Sequence, residues 1–184
     1  AFFSTIFQLM RIISGTHKGR RISAPKNLPV RPTTDRSKEG LFNILQHRMD
    51  FDSLTVLDLF SGTGNISYEF ASRGASKIIA VDQNRHCVHF IQKTATTLEL
   101  DISVLQSETI TFLDKDKASY TLIFADPPYD WEAEAYLQLL ERAKKRLDAS
   151  GIIIFEHSNF IDLSMGEGFD FSRNYGGSVF SFFE

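Results

Sequence analysis

The chain has one cysteine, Cys87, in 184 residues. That excludes an intramolecular disulfide framework and a cysteine-rich zinc site, and the expected setting is reduced and cytoplasmic. No apolar run approaches the roughly 20 residues needed to cross a bilayer, so no membrane role is expected. The five histidines form no metal motif. His86 and His89 merely stand three apart on a helical stretch, and no metal is expected. Internal repeats and low-complexity stretches are also missing. Ala1 to Leu9 carry no charge, and Met10 follows. The segment is too short for a secretory signal and lacks its basic start. Met10 is the expected natural start, with residues 1–9 a remnant or upstream extension outside the functional unit.

Hydrophobic residues make up 42% and charged residues 23%. Such a chain can bury a core, and wholesale disorder is excluded. The length suits one domain with a small appendage. The net charge of -3 conceals an asymmetry. Residues 11–48 carry nine Lys/Arg and two acids, for +7, and residues 49–184 sum to -10. A basic end on an acidic body reads either as a polyanion-binding segment or as a solvated basic face.

Residues 11–22 read as a small β-hairpin around a Gly-containing turn. Pro25 to Pro32 form an extended connection. Thr33, Thr34 and Asp35 are candidate caps for a helix over 35–49, where Leu41, Phe42, Leu45 and Met49 recur at helical spacing. From residue 55 strands and helices alternate. The spacing predicts strands at 55–60, 77–82, 102–105, 120–125 and 151–156. Helices fall at 65–73, 84–98, 108–114 and 132–147. The strands read as buried on both faces, as in a parallel sheet covered by helices. The expected fold is α/β and doubly wound, with a Rossmann-like seven-stranded sheet. The tail differs: strands at 168–173 and 178–183 flank Asn174-Tyr175-Gly176-Gly177, and so close a pair must be antiparallel. A parallel sheet ending in an antiparallel hairpin is similar to class I methyltransferases. The domains expected are a basic hairpin-and-helix appendage at 10–50 and a catalytic domain at 51–184.

The first strand of the alternating region runs into Asp58-Leu59-Phe60-Ser61-Gly62-Thr63-Gly64-Asn65. Glycines after a strand and before a helix allow a tight turn and close backbone approach to a ligand. Asp82 ends the next strand, where a carboxylate can accept hydrogen bonds from ribose hydroxyls. That fits a nicotinamide cofactor or S-adenosylmethionine. Ser67 stands where the dinucleotide fingerprint wants its third glycine. Asp58, inside the loop, suits an ammonium group better than a diphosphate, which it would repel. Both details favour S-adenosylmethionine.

The fourth strand ends in Asp126-Pro127-Pro128-Tyr129. Two prolines stiffen the loop and remove two N–H donors, so it presents carbonyl oxygens. The Asp126 carboxylate and the Pro127 carbonyl offer two acceptors for the hydrogens of an exocyclic amino group. Tyr129 offers a stacking face worth roughly 1–3 kcal/mol per base.

These motifs carry a resemblance. Asp-Pro-Pro-Tyr resembles the mark of methyltransferases acting on exocyclic amino groups. Met10-Arg11-Ile12-Ile13-Ser14-Gly15, Lys18-Gly19-Arg20, Arg31-Pro32-Thr33-Thr34-Asp35-Arg36, Glu39-Gly40-Leu41-Phe42-Asn43 and Ser72-Arg73-Gly74-Ala75 narrow it. From Met10 nearly to the C-terminus the chain resembles the RsmD family of bacterial 16S rRNA (guanine-N2) methyltransferases. The resemblance implies that Asp58, Phe60, Ser61, Gly62 and Gly64 cradle the methionine part of S-adenosylmethionine. It places Asp82 on the ribose and Gln83 beside the adenine. Glu108 falls at the adenine contact, where the family has Asn or Asp. Thr33 and Arg36 would line the cofactor entrance, while Asp126, Pro127, Pro128 and Tyr129 hold the target amino group. Lys18, Arg20, Arg21, Arg31 and Lys38 would contact phosphates of 16S rRNA, and the expected partner is that RNA within the small subunit or an assembly intermediate. A monomer is expected.

The alternatives are a DNA adenine-N6 or other amino-group methyltransferase, and a non-catalytic RNA-binding assembly factor. Nothing in the catalytic loop separates adenine from guanine. Cys87 reads as a small core filler. Lys144-Lys145-Arg146 closes a helix, where cations suit the dipole, or touches RNA. Trp131 reads as a lid or as core.

Overall fold

The chain alternates β-branched strands with amphipathic helices, and that alternation builds a sheet with helices on both faces. A computed structural model describes residues 7–31 and 33–184. Residues 1–6 and Pro32 lie outside the described residues, so most of the proposed 1–9 extension is not addressed. In chain order the elements are β1 (Phe7–Arg11), β2 (Arg21–Pro25), α1 (Asp35–Leu45), β3 (Thr55–Leu59), α2 (Asn65–Ser72), β4 (Lys77–Asp82) and α3 (Arg85–Thr97). There follow β5 (Ser103–Gln106), α4 (Thr109–Lys115), β6 (Tyr120–Ala125), α5 (Ala133–Lys144), β7 (Leu147–Ser158), β8 (Phe169–Tyr175) and β9 (Ser178–Phe183). None of the described helices is long and apolar enough to cross a membrane.

The large sheet has seven strands in the order β5-β4-β3-β6-β7-β9-β8. Strands β3 to β7 run parallel, and β9 pairs antiparallel with both β7 and β8. The chain works outward from β3 through β4 to β5, then returns to the other side of β3 as β6. That reversal opens a crevice at the carboxyl ends of β3, β4 and β6. Register aligns Leu59 with Val81 on one side and Ala125 on the other. The residues that follow, Phe60, Asp82 and Asp126, therefore emerge along one edge.

Alternation along the strands feeds two cores. Ile123 and Phe155 join Leu57 and Leu59 under Tyr136, Leu139 and Leu140 of α5. Leu122, Phe124 and Ile154 face the other way, onto Ile66 and Phe70 of α2 and onto Leu41, Phe42 and Leu45 of α1. Each fully buried large side chain contributes about 1.5–3 kcal/mol. Helix α1 thus belongs to the core of the sheet, although the sequence reading assigned it to an appendage.

The N-terminal hairpin forms with its arms displaced outward from the expected 11–22. Arg11 pairs with Arg21 and Phe7 with Pro25, so residues 7–9 are strand rather than an idle extension. Pro25 sits at the end of an edge strand, where its missing donor costs nothing. Met10, Ile12, Ile22 and Ala24 pack on Tyr68 of α2 and on Cys87 and Ile91 of α3. Cys87 is a buried free thiol.

Several boundaries moved. Helix α1 stops at Leu45, four residues early, because turn bonds from Arg48 and Met49 both return to the Leu45 carbonyl. Asn84 and Glu108 are caps of α3 and α4 rather than helical residues. Helix α5 ends at Lys144, and Leu147, expected in the helix, pairs with Tyr120 instead.

Candidate active site

Strand β3 ends where Phe60 takes φ 55, a left-handed conformation that costs a non-glycine residue on the order of 1–3 kcal/mol. The turn is fixed by its neighbours: the Ser61 amide and hydroxyl both donate to the Val81 carbonyl, at 3.0 and 3.1 Å. Gly62 (φ 56) brings its amide to Asp82 Oδ2 at 2.8 Å. Gly64 (φ 82) opens α2, and a Cβ there would sit 2.7 Å from the Tyr68 ring. Gly64 is needed for helix packing and does not line the cavity.

A cavity of about 820 Å³ lies over this turn, a size suited to a cofactor plus part of a substrate. Its lining brings together Asp58, Phe60, Ser61, Gly62, Asp82, Gln83, Glu108 and Thr33 with Asp126, Pro127, Pro128 and Tyr129. Two separate stretches of sequence, read independently, share one space.

Asp58 is buried and accepts from Ser67 Oγ at 2.6 Å. Burial pushes its carboxyl up to about 7, against the hydroxyl's pull, with Asp82 adding to the rise. Ser67, read only as a departure from the dinucleotide pattern, is thus the clamp on Asp58. Asp82 accepts from the amides of Gly62 and Asn84, both at 2.8 Å, and burial raises it despite those donors. Glu108 caps α4 through the amides of Ile110 and Thr111 at 3.0 and 2.8 Å. Its slight burial is outweighed by those donors, which hold it below the usual carboxylate range. It is therefore a capping group at the cavity edge.

In the other half, Asp126 follows β6. Burial raises its carboxyl well above the ordinary range, the nearby Glu156 adds to this, and Arg31 opposes it. Pro127 is buried, whereas Tyr129 is 55% exposed. Trp131 makes edge contacts with Phe60 and Tyr136 at ring separations of 5.3 and 5.7 Å. It is a packed wall of the cavity.

The basic residues divide. Lys18, Arg20 and Arg21 are exposed on the hairpin. Lys38 is not available to RNA. It is fully buried, with its ammonium donating to the Arg11 carbonyl (2.6 Å) and Asn65 Oδ1 (2.8 Å) and pairing with Glu69 at 3.3 Å. Burial pulls its basicity below that of an ordinary lysine, and the Glu69 charge opposes the fall. The phosphate role is corrected: apolar neighbours on α1 turned this face inward. Arg31 also departs from expectation, because it lines the cavity, pairs with buried Glu156 at 3.4 Å and donates to Ser178. Arg36 is exposed on the first turn of α1 and is not part of the cavity wall. Lys144 donates to the carbonyls of Glu167 and Glu184, which ties the tail to α5.

The sequence reading missed Val30, Asn84 and Thr109 on the wall, and Glu156 behind Arg31. Glu156 was legible by the rule that found Asp82 and Asp126, since it also stands at the carboxyl end of a parallel strand.

The family described as "Conserved hypothetical protein 95" matches residues 10–184. The chain belongs to this family, the RsmD family. The family match takes in both loops of the cavity and the basic hairpin. A Bacillus subtilis relative, YlbH, provisionally named an rRNA methyltransferase, is 34% identical over 84% of this chain and 85% of its own length. Ribosomal RNA small subunit methyltransferase D of Buchnera aphidicola is 34% identical over 65% of this chain and 61% of its own. A solved Escherichia coli structure, provisionally titled the methyltransferase yhhF, superposes with a TM-score of 0.79 at 26% identity. The match covers 96% of this chain and 97% of that one. The fold is that of class I methyltransferases.

Proposed function

We propose that the protein transfers a methyl group from S-adenosylmethionine to the exocyclic N2 amino group of a guanine in 16S rRNA. The observation that carries this reading is the single cavity shared by the Asp58–Thr63 turn, Asp82 and the Asp126–Tyr129 loop. Family membership, with relatives named for small-subunit rRNA methylation, supports the choice of substrate. The expected substrate form is the small subunit or an assembly intermediate, in the cytoplasm, with the protein acting as a monomer.

The residues fit the cofactor. Asp58, buried beside the loop, suits an ammonium group, and Asp82 has both carboxylate oxygens fixed by amides. Such a preset carboxylate can accept from ribose hydroxyls without reorganising. Gln83 and Asn84 flank the adenine end, and Phe60, Ser61 and Gly62 hold the methionine end. Bound there, S-adenosylmethionine supplies an electrophilic methyl carbon.

The remaining work falls to this chain. A guanine amino group has two hydrogens and a lone pair delocalised into the ring. Asp126 and the Pro127 carbonyl accept those hydrogens and aim the nitrogen. Tyr129 stacks on the base, and orientation of this kind supplies much of the rate. Burial gives Asp126 a raised proton affinity, so its carboxylate is also placed to take the proton that the nitrogen sheds on methylation. Lys18, Arg20 and Arg21 hold RNA phosphates and fix the register, and the target base is unstacked into the cavity.

The test uses purified protein, labelled S-adenosylmethionine and small subunits from a strain lacking the enzyme. Methyl incorporated as N2-methylguanine, and lost in Asp126→Ala, supports the reading. No incorporation, or methyladenine as product, refutes it.

A further inference from the structure

Tyr129 is the residue expected to stack on the target base, yet it stands 55% exposed on a loop. A stacking ring on an exposed loop needs something to hold its plane. The Arg31 guanidinium lies over the ring, 4.4 Å from its centroid. Arg31 is in turn anchored at two points. Its terminal nitrogen pairs with Glu156 Oε1 at 3.4 Å and donates to Ser178 Oγ. Glu156 is 1% exposed, and its other oxygen accepts from Thr33 Oγ1 at 3.3 Å. Glu156 comes from the end of β7, beside the β6 end that carries Asp126, and Ser178 starts β9. The support for the ring is therefore rooted in the sheet.

We propose that Arg31 is a positioning residue that backs one face of Tyr129, with Glu156 and Ser178 fixing its plane, so that the opposite face receives the target base. This rests on the methyltransferase reading above. A planar, delocalised cation stacks on an aromatic face, and lysine, a point charge, does not replace it. Arg31 thus differs from Lys18, Arg20 and Arg21, because its charge is spent on Glu156. It adds little to subunit affinity and much to the orientation of the reacting nitrogen.

The experiment measures methyl transfer to small subunits lacking the modification, for Arg31→Ala, Arg31→Lys, Glu156→Gln, Ser178→Ala and Tyr129→Ala. Unfolding temperature and S-adenosylmethionine affinity serve as controls. Arg31→Ala is expected to lower kcat by about tenfold with KM little changed. Arg31→Lys should not rescue it, and Glu156→Gln and Ser178→Ala should show the same split in milder form. In a Tyr129→Ala background, Arg31→Ala should cost nothing further. The salt slope of subunit binding should not move, whereas a lost phosphate contact makes it shallower by about one.

Additive losses with Tyr129→Ala, a raised KM with a shallower salt slope, or faster transfer on removing Arg31 would each overturn the proposal. The last would mean that Arg31 occludes the ring. Should Glu156→Gln fail to fold, Ser178→Ala and the Arg31 variants still decide. Wild-type protein that leaves the subunits unmethylated refutes the function itself. Active wild-type protein with an equally active Arg31→Ala refutes only the backing role.

Discussion

Replacing Lys38 by methionine separates a structural lysine from an RNA-binding one. The side chain is 0% exposed, as is Glu69, its partner at 3.3 Å. Its ammonium also satisfies the Arg11 carbonyl and Asn65 Oδ1. Breaking a buried pair by removing one member costs about 3–5 kcal/mol, because the other charge is left uncompensated. Here Glu69 keeps Arg73 at 2.8 Å and the amides of Ile13 and Ser14. Those partners place the expected loss at the lower end, about 3 kcal/mol. For a domain of this size that lowers the unfolding temperature by about 6–12 °C. Calorimetry and urea unfolding of Lys38→Met measure it, with an unchanged urea slope showing that the fold itself survives. The double variant Lys38→Met/Glu69→Gln should be less stable still, because one glutamine oxygen cannot accept from both the Ile13 and Ser14 amides and Arg73 loses its anion. A surface phosphate contact predicts the reverse: stability within about 0.5 kcal/mol of wild type and weaker RNA binding. That outcome would refute the burial argument.

Three further outcomes follow from the site. Burial raises Asp58 to about 7, so below that pH a proton competes with the cofactor's ammonium; affinity for S-adenosylmethionine should fall by nearly tenfold per pH unit. Calorimetry between pH 5.5 and 8 tests this, and Asp58→Asn should bind weakly with that step removed. The same raised value makes Asp58 a source of stability below its unfolded pKa that is lost as pH rises through about 7. Ligand-free Asp58→Asn should therefore be relatively more stable than wild type at pH 8 than at pH 4. Reversing charge at Arg20 and Arg21 should weaken RNA binding, flatten its salt slope by about two, and leave cofactor affinity unchanged. Equal loss of both would show that hairpin and cofactor site do not act separately.

The parallel sheet was legible because β3, β4, β6 and the core of β7 are short apolar runs at regular spacing, and the tail hairpin because Gly176-Gly177 leaves no room for a crossover. The two halves of the site were legible for a related reason. Ligands of doubly wound sheets gather at strand carboxyl ends, and Asp82 and Asp126 announce themselves there by position alone. What sequence could not supply was which way a basic side chain turns. Lys38 sits one helical turn from Leu41 and Phe42, on the face they bury, and only the positions of Glu69 and Asn65 on another helix reveal its partners. Arg31 looked like one more cation in a basic segment until β7 and β9 delivered Glu156 and Ser178 to it. The hairpin was expected at 11–22, but its arms lie at Phe7–Arg11 and Arg21–Pro25, because the pairing begins in a stretch without charge that was set aside as an extension.

The most direct test of the central claim is mass mapping of small-subunit rRNA from cells with the gene, without it, and with only Asp126→Ala. The account predicts one N2-methylguanine present in the first and absent from the other two. An unchanged guanine inventory across all three would contradict it.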